Sequence, residues 1–170
     1  IINHSHYYLE NLTRRFSGKS NMNPKTNGEF LVLEKTIKIS KKNFVYFDGG
    51  ANVGDNLLFV NKLLSKQKEI NQTSFGVEAT PTTFNLLQTR VPQKGVVLIN
   101  KALSDEEGEI DFYIESDQNK TTLDDRQGSN SAINHYYLNN GNKIKIKATT
   151  IDKIFKENKL KNIDFLKLDI

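Results

Sequence analysis

The sequence predicts an α/β protein with a mostly parallel, doubly wound β-sheet. Short apolar runs, typical of buried strands, each end in an acid, an amide or a glycine turn. Between them lie segments with apolar residues at helical spacing, so strands and helices alternate, which produces βαβ units with parallel strands. Such sheets bind ligands outside the carboxyl ends of their strands. The residues that end the strands are therefore the first site candidates: Asp48, Glu78, Asn100 and Asp169.

The first two βαβ units have the clearest pattern. A strand over residues 44–48 precedes a helix from 55 to about 68, and a second strand over 74–78 precedes another helix. For the second helix, Thr80 is the predicted N-cap and Pro81 the first helical residue. The apolar faces of the two helices are formed by Leu57, Val60, Leu64, Phe84 and Leu87.

The next segments supply a third buried strand over 96–100 and an alternating stretch over 109–114. Alternation of polar and apolar residues is typical of a half-exposed antiparallel strand. Residues 115–142 are rich in Asn, Asp, Ser and Gly, which predicts mostly loop. Ile144 and Ile146 mark a further strand, whose solvated face carries Lys143, Lys145 and Lys147.

A helix capped by Thr149 or Thr150 precedes the last strand, over 163–169. The four parallel strands are expected in the spatial order 3-2-1-4. Residues 1–43 form an amino-terminal lead-in to which the sequence assigns no role, and the domain proper spans 44–170. Two short strands are predicted in the lead-in, at residues 31–33 and 37–39.

The composition argues against several function classes. There is no cysteine, which removes disulfides, thiolate zinc sites and cysteine nucleophiles. No run approaches the ~18 apolar residues of a membrane span, and the first residues lack the order of a signal peptide, so a cytoplasmic location is expected. The net charge of +4 is spread along the chain, so a nucleic-acid partner is not expected. No metal site is predicted, because no ligand spacing links His4, His6 and His135.

Two features at strand ends predict a nucleoside-type ligand. The turn over 48–54 begins with an acid and contains three glycines, which permit positive φ and close backbone approach, and the following helix directs its N-terminus at the site. Glu78 could accept both hydrogen bonds from a ribose diol. A plain βα turn and a solvent-facing carboxylate are the structural alternatives. The G-x-G-x-x-G fingerprint of NAD(P) sites is absent, since Asn52 replaces its second glycine, and this favours S-adenosylmethionine (SAM).

Four segments stand out in order along the chain: FDGGANVG at 47–54, VEATP at 77–81, KALSDEEG at 101–108 and DFLKLD at 164–169. Through these segments, residues 44–170 resemble the FkbM family of methyltransferases. One departure is that Ala79 and Thr80 separate Glu78 from Pro81, where the family often has Glu-Pro. A second is that the family continues with a Glu-Gly pair beyond the last segment. The domain is therefore expected to be truncated after its fourth parallel strand, which would leave apolar residues of that strand exposed.

The resemblance implies a Rossmann-like class I methyltransferase fold, with the antiparallel segment as an insertion, and SAM as methyl donor. It implies O-methylation of a hydroxyl on a sugar or small-molecule acceptor. Glu78 would hold the ribose, and the backbone near Ala102 would lie by the adenine. The methionine side of the pocket would be lined by Asp48, Gly50, Asn52 and Gly54.

Lys167 and Asp169 are the catalytic candidates. Residues two apart on a strand face the same side, so both could project toward one place at the carboxyl end of the sheet. An acceptor hydroxyl needs a base as its proton leaves. Asp169 is the candidate base and Lys167 the candidate helper through its charge. The alternative is that Asp169 orders the next loop and Lys167 is an edge residue whose stem packs on the sheet.

Three function classes remain open from the sequence. The first is the SAM-dependent O-methyltransferase. The second is another Rossmann-like enzyme, either an RNA-directed methyltransferase or an NAD(P) oxidoreductase. The third is a non-catalytic SAM-binding fragment, for which binding without methyl transfer would be diagnostic.

Overall fold

The computed structural model describes residues 24–40, 42–67, 69–114 and 142–170. The chain divides into two compact units, Ile1–Ile39 and Ser40–Ile170. None of the described helices is both long and apolar enough to cross a bilayer. In chain order the described elements are α1 (Glu29–Ile39), β1 (Asn43–Gly49), α2 (Asp55–Leu64), β2 (Asn71–Val77), α3 (Pro81–Arg90), β3 (Val96–Ile99), β4 (Ala102–Leu103), β5 (Gly108–Ile114), β6 (Asn142–Thr149), α4 (Ile151–Glu157) and β7 (Phe165–Leu168).

The first unit contains helix α1 where two short strands were predicted, so that prediction is wrong. Leu33 and Ile37 are four residues apart, a spacing that places both on one face of a helix, and both are buried. Glu34 and Lys38, also four apart, form an ion pair of 2.8 Å on the helix surface. The two three-residue runs were too short to indicate strands reliably, and the four-residue spacing of the buried side chains is the signal that the structure follows.

In the second unit, four strands form a parallel sheet in the order β3-β2-β1-β7. The predicted 3-2-1-4 order is confirmed for these strands. The strand order reverses at β1, so the point between β1 and β7 is where a ligand crevice is expected. Beneath the carboxyl ends, Phe47 and Phe75 stack with ring centroids 5.9 Å apart, in a core cluster with Val77 and Ile154. Burying each such side chain stabilises the fold by about 1.5–3 kcal/mol.

A three-stranded sheet has the order β4-β6-β5, with β5 antiparallel to β6 and β4 parallel to it. The antiparallel strand predicted over 109–114 is thus confirmed as β5. The three lysines of β6 are exposed, while Ile146 between them is buried. Glu109 and Asp111 of β5 lie opposite Lys147 and Lys145, so acids oppose the basic stripe. The loop predicted over 115–142 lies almost wholly outside the described residues.

Local contacts fix where α4 and β7 begin. The Thr150 hydroxyl accepts a hydrogen bond from the Lys153 N–H at 3.0 Å, so of the two predicted caps it is Thr150 that begins α4. Before β7, Asp164 pairs twice with Val45 of β1: its N–H donates to the Val45 carbonyl at 2.9 Å, and its carboxylate accepts the Val45 N–H at 2.7 Å. This double pairing aligns β7 on β1. Leu166 and Leu168 of β7 are exposed, as expected for the outer strand of the described sheet.

Candidate functional site

The turn between β1 and α2 is fixed to the end of β2. The N–H groups of Gly50 and Ala51 both donate to the Val77 carbonyl at 2.9 Å. Positive φ angles occur at Gly50 (78°), Asn52 (49°) and Gly54 (86°), so the backbone coils tightly before α2 begins. Glycine adopts such angles without strain, and asparagine tolerates them better than most residues. The predicted glycine turn is therefore present at the carboxyl end of the central strand.

Gly50 and Gly54 are required by packing within the protein. A Cβ at Gly50 would overlap the carbonyl oxygen of Asp169, because the chain after β7 passes directly over the turn. A Cβ at Gly54 would lie 2.5 Å from Val91 and 2.6 Å from Leu87, at the end of α3. Clearance for a ligand was the reason expected from the sequence for Gly50. The structure supplies a steric reason of its own, so a side chain there would lower stability as well as any binding.

Glu78 is 8% exposed and organises the turn from the end of β2. Its Oε2 accepts the Asn52 N–H at 2.9 Å and its Oε1 accepts the Thr80 N–H at 2.9 Å. Burial raises the pKa of this carboxyl, and donors that include the Thr80 and Asn52 N–H groups and the Thr80 hydroxyl oppose that rise. A carboxylate offers about four acceptor positions, so a ligand diol at Glu78 would share or replace some of these donors. Glu78 therefore holds the turn in the free protein, and its carboxylate is the candidate partner for a ligand diol.

Two side chains whose contacts sequence reasoning missed hold this region from the far ends of other elements. Arg90, at the end of α3, donates to the Val53 carbonyl and to the Asp55 carboxylate, both at 2.8 Å. Asn100, flagged only as the residue that ends a strand, donates to the carbonyls of Glu78 and Ala79 at 2.8 and 3.1 Å. The sequence carries no local signal for the Arg90 contacts, since its partners lie 37 and 35 residues away.

Asp48 differs from Glu78 in its partners. It is fully buried, with 0% exposure, and within the described ranges neither carboxylate oxygen accepts a well-formed hydrogen bond. Burial raises its pKa from 3.8 to about 6, against the opposing effects of Lys167 and the Tyr46 hydroxyl. Buried polar groups are nearly always paired, so an unpaired carboxylate at the carboxyl end of the central strand points to a missing donor.

Lys167 and Asp169 lie with Asp48 on one side of the sheet. Lys167 stands in register with Asp48 across the β1–β7 pair, and its ammonium is 3.6 Å from Asp48 Oδ1. The same ammonium donates to Asp169 Oδ2 at 3.4 Å, which confirms that Lys167 and Asp169 project toward one place. Lys167 is 18% exposed and Asp169 80%, so the three charges run from the interior to the surface.

The model of the FkbM methyltransferase domain matches residues 48–170. This chain belongs to the FkbM methyltransferase family. No curated protein and no solved structure matches it. The resemblance drawn from the four sequence segments is thereby confirmed, and the protein is assigned to the methyltransferases.

The FkbM match begins at Asp48 and includes every predicted site residue. Asp48, Gly50, Gly54 and Glu78 meet around the turn, with Asn52 exposed at its tip. Ala102 is placed differently: it is buried in β4 and pairs with Ala148 of β6, two residues after Asn100. Its role beside the adenine stays a prediction.

For this FkbM domain, no group of three or more acidic or histidine side chains suited to a metal ion occurs among residues 24–40, 42–67, 69–114 and 142–170. His4, His6 and His135 lie outside those ranges. The arrangement that is present offers two carboxylates, Asp48 and Glu78, and the N-terminus of α2 around one turn at the carboxyl end of the sheet. Such a set can hold a small molecule that carries an ammonium, a carboxylate and a diol.

Proposed function

We propose that this domain binds SAM and transfers its methyl group to a hydroxyl of a sugar or another small-molecule acceptor. The observation that carries the proposal is the fully buried Asp48 carboxylate, whose oxygens have no hydrogen-bond partner among the described residues. Leaving a buried carboxylate unpaired is costly, and a ligand ammonium at this position would remove that cost.

The groups of the site match those of SAM one by one. Asp48 would receive the amino group, and the N-terminus of α2 would receive the carboxylate, since the first N–H groups of a helix have no partner within it. The Glu78 carboxylate would receive the ribose hydroxyls. When bound, SAM supplies an electrophilic methyl group on its sulfonium. A dinucleotide fits less well, because Asn52 carries a side chain where a pyrophosphate would need glycine.

Asp169 is the proposed base for the acceptor hydroxyl. Its carboxylate is exposed at the same end of the sheet, where an acceptor can reach it. Lys167 donates to it and fixes its position beside the crevice. A proton acceptor within hydrogen-bond reach of a hydroxyl accelerates transfer by typically about 10²–10⁴-fold. Asp169→Asn should therefore abolish most transfer in a protein that still binds SAM measurably.

An RNA acceptor lacks support among the described residues, because acids of β5 oppose the lysines of β6. A small-molecule or glycan acceptor and a cytoplasmic location stay predictions. Only a measurement of methyl transfer distinguishes a non-catalytic SAM-binding protein from a methyltransferase.

The test combines binding with transfer. S-adenosylhomocysteine (SAH) is titrated into the protein by calorimetry, with NAD⁺ as a matched dinucleotide. Radiolabelled SAM is then supplied with a panel of sugars and hydroxylated small molecules, and separately with RNA oligonucleotides. We expect SAH binding, no NAD⁺ binding, and label in a hydroxylated small molecule. Absence of SAH binding would overturn the proposal, label in RNA would replace its acceptor class, and binding without any transfer would favour the non-catalytic role.

A further inference from the structure

The charges around Asp48 come from few sources. On its own strand, Tyr46 lies two residues earlier on the same side, and its uncharged hydroxyl also lowers the pKa of Asp48. On β2 the residue in register is Gly76, which has no side chain. On the β7 side stand Lys167 in register and Asp169 beyond it. Lys167 is thus the one cation that the described residues bring to this carboxylate.

The distance from Lys167 to Asp48 matters as much as the charge. At 3.6 Å from Asp48 Oδ1, the ammonium acts on the carboxylate chiefly through its charge, which lowers the pKa of Asp48. Asp169 accepts a hydrogen bond from the same ammonium at 3.4 Å, so Lys167 is shared between the two acids. The separation leaves Asp48 without a well-formed hydrogen bond from Lys167.

The net charge of Asp48, Lys167 and Asp169 would be neutralised by one more cation. Two carboxylates and one ammonium carry a net charge of −1 when all are ionised. A ligand with one ammonium group would neutralise the set. Were Lys167 uncharged, burial would favour the neutral acid at Asp48, and a neutral carboxyl attracts an ammonium only weakly.

We propose that Lys167 is a positioning residue for the cofactor site, which keeps Asp48 ionised so that it can receive the ligand ammonium. This inference rests on the proposed binding of SAM at Asp48. It gives Lys167 a role before chemistry, in binding, whereas the sequence suggested only a role beside the candidate base. Burial and Lys167 act on the pKa of Asp48 in opposite directions, as this role requires.

The first test is made on the free protein and needs no ligand. The carboxyl carbon of Asp48 is followed by ¹³C NMR between pH 4 and 8.5 in wild type, Lys167→Met and Lys167→Arg. We expect the Asp48 midpoint to rise by about one to two pH units in Lys167→Met, the size of effect that a neighbouring opposite charge exerts. Lys167→Arg keeps the charge and should restore the wild-type midpoint. Lys167→Gln is measured in parallel, so that poor folding of the Met variant does not remove the test.

The second test is the affinity for SAH across the same pH range. Lys167→Met should bind about two- to tenfold more weakly at pH 7 and regain wild-type affinity at pH 8.5, because Asp48 is then ionised in both. Lys145→Met, at an exposed position on β6, is the matched control and should follow wild type at every pH.

The two proposals fail separately. An Asp48 midpoint that does not move in Lys167→Met or Lys167→Gln overturns the role of Lys167 and leaves the proposed function standing. Weaker binding by the same factor at every pH would also overturn it, since that is the mark of a structural defect. Wild type that binds no SAH at any pH overturns the proposed function, and with it the ligand part of this inference.

Discussion

Asp48 and Glu78 follow one another at the carboxyl ends of neighbouring parallel strands, and both are buried, yet their carboxylates are held in opposite ways. The Glu78 oxygens each accept a backbone N–H, from Asn52 and Thr80. The Asp48 oxygens accept no well-formed hydrogen bond from the described residues, and Lys167 is the one cation near them there. Glu78 therefore stabilises the fold of the site, whereas the ionised Asp48 destabilises the free protein, and a bound ligand can offset that destabilisation.

This difference separates two kinds of buried acid that a sequence motif presents as equals. A carboxylate that accepts backbone N–H groups sets the shape of a turn. A carboxylate without donors stores unfavourable free energy in the free protein, which binding of a cation releases. The two residues should consequently respond to substitution with opposite effects on stability.

The largest effect is expected at Asp48. A pKa raised from 3.8 to about 6 corresponds to about 3 kcal/mol of destabilisation by the ionised form. The sign follows from linkage. Below pH 4 the Asp48 carboxyl is protonated in both the folded and the unfolded state, so it does not change the free energy of unfolding. Between pH 4 and 6 the folded state holds the proton more tightly, and above pH 6 the ionised carboxylate lowers the free energy of unfolding by the full amount. Asp48→Asn should thus raise the free energy of unfolding at pH 7.5 by up to about 3 kcal/mol, with the gain shrinking toward pH 4.

Chemical denaturation at pH 4, 5.5 and 7.5 measures this gain. Asp111→Asn is the control, since Asp111 is an exposed acid paired with Lys143 at 2.8 Å, and its loss should give no stabilisation. A less stable Asp48→Asn protein at pH 7.5 would show that the carboxylate is satisfied in the free protein, and the contrast with Glu78 would collapse.

A somewhat smaller effect of opposite sign is expected at Glu78. Glu78→Ala removes the acceptors of two N–H groups; Asn52 is exposed and its N–H regains water, whereas Thr80 is buried. One unsatisfied buried donor costs about 1–3 kcal/mol, so stability should fall by that amount. Affinity for SAH should also fall at least tenfold, because the ribose hydroxyls lose their acceptor. Glu109→Ala, an exposed acid on β5, provides the reference in both measurements, and equal affinity in the two variants would remove Glu78 from the site.

Much of the fold could be predicted from the sequence because its determinants are local. Apolar runs, helical spacing and the Pro81 helix start each lie within a few residues, and right-handed βαβ connections then restrict the strand order. The same logic failed at α1, where runs of three residues suggested strands and the four-residue spacing of Leu33 and Ile37 prevailed.

The site was predictable in outline only. The strand-end acids and the glycine turn are visible as motifs, but which N–H groups each acid accepts depends on the path of the backbone. The Asp48–Lys167 contact depends on the register of β1 against β7, between residues far apart in the chain. Arg90 reaches the turn from another helix, and Gly50 is required by the Asp169 carbonyl, so neither role has a local signature.

The central claim is that Asp48 is the acceptor for a ligand ammonium, and a pair of ligands tests it most directly. SAH carries the amino acid end, and 5′-methylthioadenosine has the same nucleoside without it. Calorimetric titration of both into wild type and Asp48→Asn gives a double difference that cancels general effects of the substitution. Asp48→Asn should lose at least tenfold in affinity for SAH and keep its affinity for 5′-methylthioadenosine. Equal losses for the two ligands, or no loss for SAH, would contradict the claim.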